Sequence, residues 1–372
     1  MNNVNRTVKR TDMILMFICI IISIISILSL YIISVSFFNT KHIFVVQVVA
    51  SVIGILTAFF ISSIDYHFVV KLWKIYVPVS IFFVVLTFFI GSQRGGADDK
   101  AWIMLPYGMS FQPSEFLKIC FILSFSTHLS LVLSEINKIK NILLVCLHGF
   151  IPILLTHLQG DDGTSLIFII IFIMMVFSAG ISWRYIFLAI ILGASLIPVL
   201  WCIIDQDKRN RILIALHPET DPMGSGYQQF NGLISIGNGG FLGKGIFENN
   251  YKFVPEIQND FIFSFIGQFS GYLGSLLVLF IISVLLLRIL SISLKTEDYL
   301  GRFICVGVFG MIFSQVVFNI GMNISILPVI GVTLPLVSAG GSSVVTTYIG
   351  IGLVLSVFTY NNKTLFYKHK FL

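Results

Sequence analysis

The feature that most restricts this chain is a series of ten long apolar runs, at residues 13–34, 43–64, 73–91, 113–134, 140–158, 164–180, 183–204, 262–288, 302–322 and 335–360. A bilayer core is crossed by about 20 apolar residues in a helix. The runs therefore predict an all-α integral membrane protein with about ten transmembrane helices. Composition agrees, with 56% hydrophobic and 11% charged residues, where a soluble domain carries about 25% charged. One long polar segment, residues 205–259, separates the seventh and eighth helices. No tandem repeat or low-complexity tract is visible. The expectation is a single polytopic membrane domain over 1–372, with 205–259 as one large extracytoplasmic loop. The basic N-terminal residues lead into an apolar run without a small-residue cleavage site, which reads as a first transmembrane helix.

Orientation follows from the basic residues of the short loops. With the N-terminus inside, Arg6, Lys9, Arg10, Lys71, Lys74, Lys138, Lys140, Arg184, Arg288, Lys295, Arg302, Lys363, Lys368 and Lys370 are cytoplasmic. Only Lys41, Arg94 and Lys100 fall in short outer loops. Both termini are thus expected in the cytoplasm. Many acids, among them Asp98, Asp99, Glu115, Asp161, Asp162, Glu256 and Asp260, fall at the outer face, which suits a functional outer surface. The net charge of +6 reflects orientation and does not call for nucleic acid. The five cysteines lie isolated in apolar runs, so neither a disulfide framework nor a zinc site is indicated. His42, His67, His128, His148, His157, His217 and His369 show no metal-ligand spacing, and the metal assignment stays open.

Four stretches carry polar chemistry at helix starts. In SFQPSEFLKICF, Pro113 suits a first helical turn and Glu115 sits near the positive end of the helix dipole. Lys118 follows on the same face, about one turn inside the membrane. It is either a snorkelling lysine or, as an intramembrane charge, a functional group able to meet a phosphate. In LQGDDGTSL, capping of the helix start accounts for one of Asp161 and Asp162, and the second is free for a cation or a substrate hydroxyl. IGNGGFLGKGIF looks like a phosphate loop but is not a Walker A motif. Asn238 stands where the first glycine belongs, and Gly245 follows Lys244 where Ser or Thr is required. It is either an anion-wrapping loop or a plain turn. In LPLVSAGGSSVVTTY, small and hydroxylated residues, Ser342 and Ser343 among them, permit close helix packing or leave N–H groups for an anion. A further stretch, VPEIQNDFIFSF, places Asp260 where polar residues give way to an apolar run, as a helix cap or as a reactive carboxylate.

Taken in order, these segments resemble the shape, elongation, division and sporulation family, which includes the RodA and FtsW proteins. The resemblance rests on Trp102, Gln112-Pro113-Ser114-Glu115 with Lys118, Asp161-x-Gly163-Thr164, Arg211-Ile212 and Asp221-Pro222. It continues through Gly224, Tyr227-Gln228, the Gly239–Gly245 loop, Pro255-Glu256, Asp260-Phe261-Ile262-Phe263, Pro328-x-x-Gly331 and Leu334-Pro335 to Ser343. The wording VPEIQNDFIFS is nearer the rod-elongation branch. The chain departs from the family pattern at Gly160, Asp162, Gln268-Phe269 and Ala339, which bears on acid contacts at the outer face.

The resemblance implies a peptidoglycan glycosyltransferase of the bacterial cytoplasmic membrane that polymerises lipid II at its outer face, for elongation or division. It implies Asp260 as the base for the acceptor hydroxyl, since a base must sit close to the proton it takes and an apolar wall makes a carboxylate a better base. A departing lipid diphosphate requires positive charge, for which Lys118, Arg94 and Lys244 are candidates. Trp102, Gln112, Glu115, Asp161, Ser342 and Ser343 complete the expected substrate-binding set. No cofactor is assigned; a divalent cation, Mg or Mn, on the diphosphate fits the chemistry. Family analogy implies a single-span class B penicillin-binding protein, a transpeptidase, as partner. The competing readings are a lipid-precursor flippase and a non-catalytic scaffold of the wall machinery. A transporter favours ionisable groups near the bilayer midplane, whereas these polar motifs crowd at the outer ends.

Overall fold

The computed structural model describes residues 11–92, 100–104, 106, 110–246 and 250–368. The described residues form α1 (Met13–Ile33), α2 (His42–Ser62), α3 (Tyr66–Lys71), α4 (Trp73–Ile90), α5 (Pro113–Val132), α6 (Ile139–Leu158) and α7 (Asp162–Ser178). They continue as α8 (Trp183–Ile203), α9 (Gln206–Ile214), α10 (Tyr227–Asn238), α11 (Ile262–Lys295), α12 (Tyr299–Asn323) and α13 (Gly341–Lys368). A two-stranded hairpin pairs β1 (Ile103–Met104) with β2 (Ser110–Phe111) between α4 and α5.

Among the described residues, nine helices are long and apolar enough to cross a membrane: α1, α2, α4, α5, α6, α8, α11, α12 and α13. The expected tenth, α7, is apolar but has 17 residues, about 26 Å at 1.5 Å each. The fold is thus the expected all-α membrane bundle, with α9 and α10 in the long connection between α8 and α11. Two helices differ most from expectation. The one expected over 262–288 runs on to Lys295, and the one expected over 335–360 starts at Gly341 and ends at Lys368. Pro335 lacks an amide hydrogen, and Leu336 takes a positive φ of 62°, so turns precede the helix there.

Aspartates set several helix starts. Asp12 accepts from Ile14 N at 3.1 Å and Leu15 N at 3.2 Å. Asp298 caps α12 and also accepts the Tyr66 hydroxyl at 2.7 Å. Each satisfies amides that a helix cannot pair itself. In the bundle, α13 packs on α2, α12 and α5, while α12 packs on α7, α11 and α5. Small residues allow these close approaches. A Cβ at Gly307 would stand 2.6 Å from Ile122 Cγ2, and one at Gly352 would stand 3.0 Å from the Ala58 backbone. By contrast, the membrane-crossing window of α8 has none of its residues buried.

The chain breaks inside α11. Gly271 has φ 68° and ψ −165°, so the regular ladder is interrupted there. Residues 239–246, following α10, lie against the break. Lys244 N and Gly245 N donate to Gln268 O and Phe269 O, each at 3.0 Å. In return Tyr272 N and Leu273 N donate to Gly240 O at 3.0 Å and Phe241 O at 3.2 Å. The glycine loop thereby pairs backbone groups that the kink leaves open, which a membrane helix requires.

Candidate functional site

One end of the bundle gathers the starts of α5, α7, α11 and α13 and the turns that precede α11 and α13. At its centre is the joint before α11. Phe261 occupies the cap position and offers no side-chain cap. The first-turn amide of Ser264 is instead met by Asn323 Oδ1 at 2.9 Å, which also accepts the Ser264 hydroxyl at 2.7 Å. Asp260 precedes the cap, so this side chain is not the N-cap of α11. Its carbonyl is fixed by two amides of α12, Asn319 Nδ2 at 2.9 Å and Asn323 Nδ2 at 2.8 Å. Its carboxylate is half-buried and turned toward Gly331, where a built Cβ would lie 3.9 Å from Oδ2.

The 330–340 segment is bound to the same frame. Asn319 Nδ2 also donates to Val332 O at 2.7 Å. Ser338 Oγ donates to Asn259 O at 2.6 Å, and Ala339 N donates to Gln258 O at 2.8 Å. From α2, Gln47 Nε2 donates to Ser338 O at 3.3 Å, and from α1, Ser26 Oγ donates to Val337 O at 2.6 Å. The backbone beside Asp260 is thus held from α1, α2 and α12. Fixing a reacting group through such a supporting shell is how geometry is maintained at a catalytic centre.

Two further pairs stand at this end. Lys118 Nζ meets Glu115 Oε1 at 2.7 Å, and Lys118 has 0% of its surface exposed. Lys118 is therefore a buried ion pair, which excludes the snorkelling reading. It also means that no phosphate touches it without movement of its surroundings. Gln112 Nε2 donates to Asp161 Oδ2 at 2.7 Å, while Asp161 Oδ1 caps α7 by accepting Thr164 N at 2.9 Å. Close packing joins α7 to the Asp260 frame, because a Cβ on Gly163 would fall 2.3 Å from Ile330 O. The second acid of the motif, Asp162, is not free for a cation. It meets His157 Nδ1 at 2.7 Å and Lys208 Nζ at 2.5 Å, tying α9 to α7.

The remaining expected residues divide. Ser343 Oγ lies 3.2 Å from Thr333 Oγ1, and the buried Ser342 Oγ has no hydrogen-bond partner among the described residues. Trp102 is half-buried in the segment leading into the hairpin, bridged to Ser92, whose hydroxyl donates to Trp102 O at 3.2 Å. Arg94 lies outside the described residues, as do Asp98 and Asp99. Lys244 is placed elsewhere: its Nζ donates to Asn250 O at 2.7 Å, on the loop docked at the α11 kink. The anion-wrapping reading of that loop is corrected on the same ground, because the amides of Gly243, Lys244 and Gly245 already donate to carbonyl oxygens.

Among the described residues, no group of three or more His, Cys, Asp or Glu side chains converges on a point that could hold a metal ion. The structure does form one histidine pair that sequence spacing misses: His128 Nδ1 of α5 lies 3.1 Å from His148 Nδ1 of α6. Sequence reading also missed Asn319, Asn323 and Gln47. The only signal available was the expense of an amide inside an apolar helix.

Comparison with known proteins follows the same geography. The family model described as "Cell cycle protein", that of FtsW, RodA and SpoVE, matches residues 9–363. Peptidoglycan glycosyltransferase MrdB of Escherichia coli K12 is 35% identical over 290 residues, covering 77% of each chain. Stage V sporulation protein E of Bacillus subtilis 168 is 33% identical over 341 residues, covering 88% of each. Among solved structures, a chain described under "Structural coordination of polymerization and crosslinking by a peptidoglycan synthase complex" superposes with a TM-score of 0.81 at 27% identity. It covers 94% of this chain and 98% of that one. The Thermus thermophilus rod shape determining protein RodA shares the fold, with a TM-score of 0.69 at 24% identity, covering 94% and 96%. With a match from end to end of the bundle and the Asp260 joint inside it, this chain belongs to the FtsW, RodA and SpoVE family of cell cycle proteins.

Proposed function

We propose that this chain is a peptidoglycan glycosyltransferase that joins the sugars of lipid II into glycan strands at the outer face of the cytoplasmic membrane. The observation that carries the chemistry is the Asp260 joint: a half-buried carboxylate on backbone pinned by Asn319 and Asn323 at the mouth of an apolar bundle. In this reading Asp260 takes the proton of the acceptor hydroxyl. The freed oxygen attacks the anomeric carbon of the donor, and the lipid diphosphate departs with the bonding electron pair. Arg94 is proposed to meet the diphosphate directly. Lys118 holds Glu115 from beneath, as a positioning residue. Gln112, Asp161, Trp102, Ser342 and Ser343 are proposed to line the approach of the sugars and phosphates. A divalent cation enters only as an ion carried on the diphosphate. The crowding of polar groups at one end supports an enzyme of the membrane surface over a transporter, whose ionisable groups belong near the midplane.

A single-span transpeptidase is the proposed partner, since new strands must be crosslinked and a relative of this fold belongs to a synthase complex of polymerisation and crosslinking. The test is incubation of the purified chain with lipid II. Glycan polymer is expected from the native protein and none from Asp260→Asn, which should retain expression and thermal stability. An Asn variant with most of its turnover would remove Asp260 from the role of base. A native protein without polymer, alone or with its partner, would defeat the enzymatic reading.

A further inference from the structure

The end of the bundle away from Asp260 holds a cavity that the proposed reaction does not use. It has a volume of about 70 Å³ and lies between the last turns of α11 and the end of α13. On α11 it is lined by Arg288, Ser291, Ile292 and Lys295. That spacing, i, i+3, i+4 and i+7, puts all four on one helix face. Phe358 supplies an apolar wall from α13. A cavity needs some 10–15 Å³ to admit one water, so this one has room for a small polar group.

The lining joins the two cations of α11 to polar Ser291, Thr296 and Asn361 and to apolar Ile292 and Phe358. Arg288 presents only Nε to a carboxylate, Asp12 Oδ2 at 2.7 Å, which leaves the two outer guanidinium nitrogens for another acceptor. Lys295 is exposed and has no ion-pair partner among the described residues. Two acids near this end are engaged elsewhere: Asp12 with Arg288, and Asp298 with Tyr66 and His67. Ile292 is 4% exposed and forms the floor with Phe358, while Leu287 and Leu294, on the flanking face, are 63% and 72% exposed.

We infer that this cavity binds the phosphodiester headgroup of an anionic phospholipid in the leaflet opposite the Asp260 end. Arg288 and Lys295 receive the phosphate and Ser291 offers a hydroxyl. Ile292 and Phe358 meet the glycerol and upper acyl carbons. Basic pockets between membrane helices recognise headgroups in this way. The apolar wall is what favours a lipid over free phosphate, because inorganic phosphate gains nothing from Phe358.

The probe is phosphatidylglycerol against phosphatidylcholine, each titrated into the purified full chain in detergent, with binding read by native mass spectrometry and thermal shift. Phosphatidylglycerol is expected to bind and raise the melting temperature, phosphatidylcholine to do neither. Lys295→Gln, at an exposed position, should fold normally and weaken phosphatidylglycerol binding about fivefold, the effect of one basic residue near an anionic surface. Lys74→Gln, an exposed lysine outside the cavity, should leave it unchanged. Equal binding of the two lipids, or equal loss in the Lys74 and Lys295 variants, would overturn the site. A full shift from inorganic phosphate alone would overturn the lipid assignment.

Discussion

Lys118 shows how a buried charge constrains what a substitution can reveal. Its ammonium faces Glu115 with 0% exposure, so Lys118→Met removes one half of a buried pair and strands the other. Breaking such a pair costs about 3–5 kcal/mol, whereas replacing both partners with neutral groups is often tolerated. Lys118→Met alone is therefore expected to lower thermal stability in detergent strongly. Glu115→Gln with Lys118→Met should recover most of that stability and still polymerise poorly, because the ion pair that fixes the Glu115 carboxylate at the site is gone. A double variant as unstable as the single one would show that the pair is not the cause. A stable and fully active double variant would confine both residues to packing. The sequence makes Lys118 conspicuous, since an ionisable residue inside a membrane helix is rare. It cannot show that the partner is Glu115, because i,i+3 neighbours on a helix can equally face solvent. The asparagines are harder to read. Asn319 and Asn323 lie one turn apart on α12, and only the fold reveals that Asp260 O is their common acceptor. Asn323→Ala should leave buried Ser264 N without a partner, at a cost of about 1–3 kcal/mol. It should also lower the polymerisation rate while leaving substrate affinity less affected, since Asp260 moves and the α5 and α7 residues of the proposed site do not. An unaltered rate would detach the Asn pair from the Asp260 geometry.

At the scale of elements, the most misleading stretch of sequence is IGNGGFLGKGIF. Its glycines suit an anion loop and a helix brace equally, because both need positive φ and close backbone approach. Gly243 and Gly245 take φ of 83° and 79°. A Cβ on Gly243 would lie 2.3 Å from Phe269 O, and one on Gly271 would lie 2.3 Å from Gly243 N. What decides between the readings is the destination of the amides, which is α11. The break at Gly271 was likewise hidden, since apolar residues continue on both sides of it and glycines are common in membrane helices. The helices themselves were legible because each needs only a long apolar run, while the turns before α13 depend on partners distant in sequence. Gly271→Ala is expected to destabilise the protein, as the new methyl meets backbone that cannot yield. Gly237→Ala is the control, because nothing lies within 4 Å of a Cβ there, and alanine favours the α10 helix by up to about 1 kcal/mol. Thermal unfolding of the two variants in parallel separates the cases. Equal stability would mean that the α11 break tolerates a side chain and that the loop is not a brace.

For the whole molecule, the orientation predicted from basic residues places the long connection outside. Ser225, exposed between α9 and α10, is the position to probe. Cys146 and Cys202 are themselves exposed, so the test uses a chain with both changed to serine. Ser225→Cys should then react with a membrane-impermeant thiol reagent on intact cells, and labelling only after lysis would reverse the orientation. Partner docking is the larger question. The small residues of α11 and α12, namely Gly271, Gly274, Ser275, Gly307 and Gly310, fit a contact in lipid by type alone. The structure narrows them. Gly307 and Gly310 are closed by Ile122, Met175 and Met174 of α5 and α7, and Gly271 is closed by the 239–246 loop. Gly274 and Ser275 remain half-exposed, on a stretch with Tyr272, Leu273, Leu276 and Leu277 open. A single-span transpeptidase is therefore expected on α11 beyond the kink, where the glycine-loop brace fixes the angle of the helix. Cysteine pairs between Leu277→Cys and the partner's span should crosslink, and the partner should co-purify and raise polymerisation. Pairs through Val308→Cys, fully buried on α12, should not crosslink. A partner that stimulates activity but crosslinks elsewhere would displace the dock from α11. Full activity of the isolated chain, unaltered by any single-span transpeptidase, would remove the need for a partner.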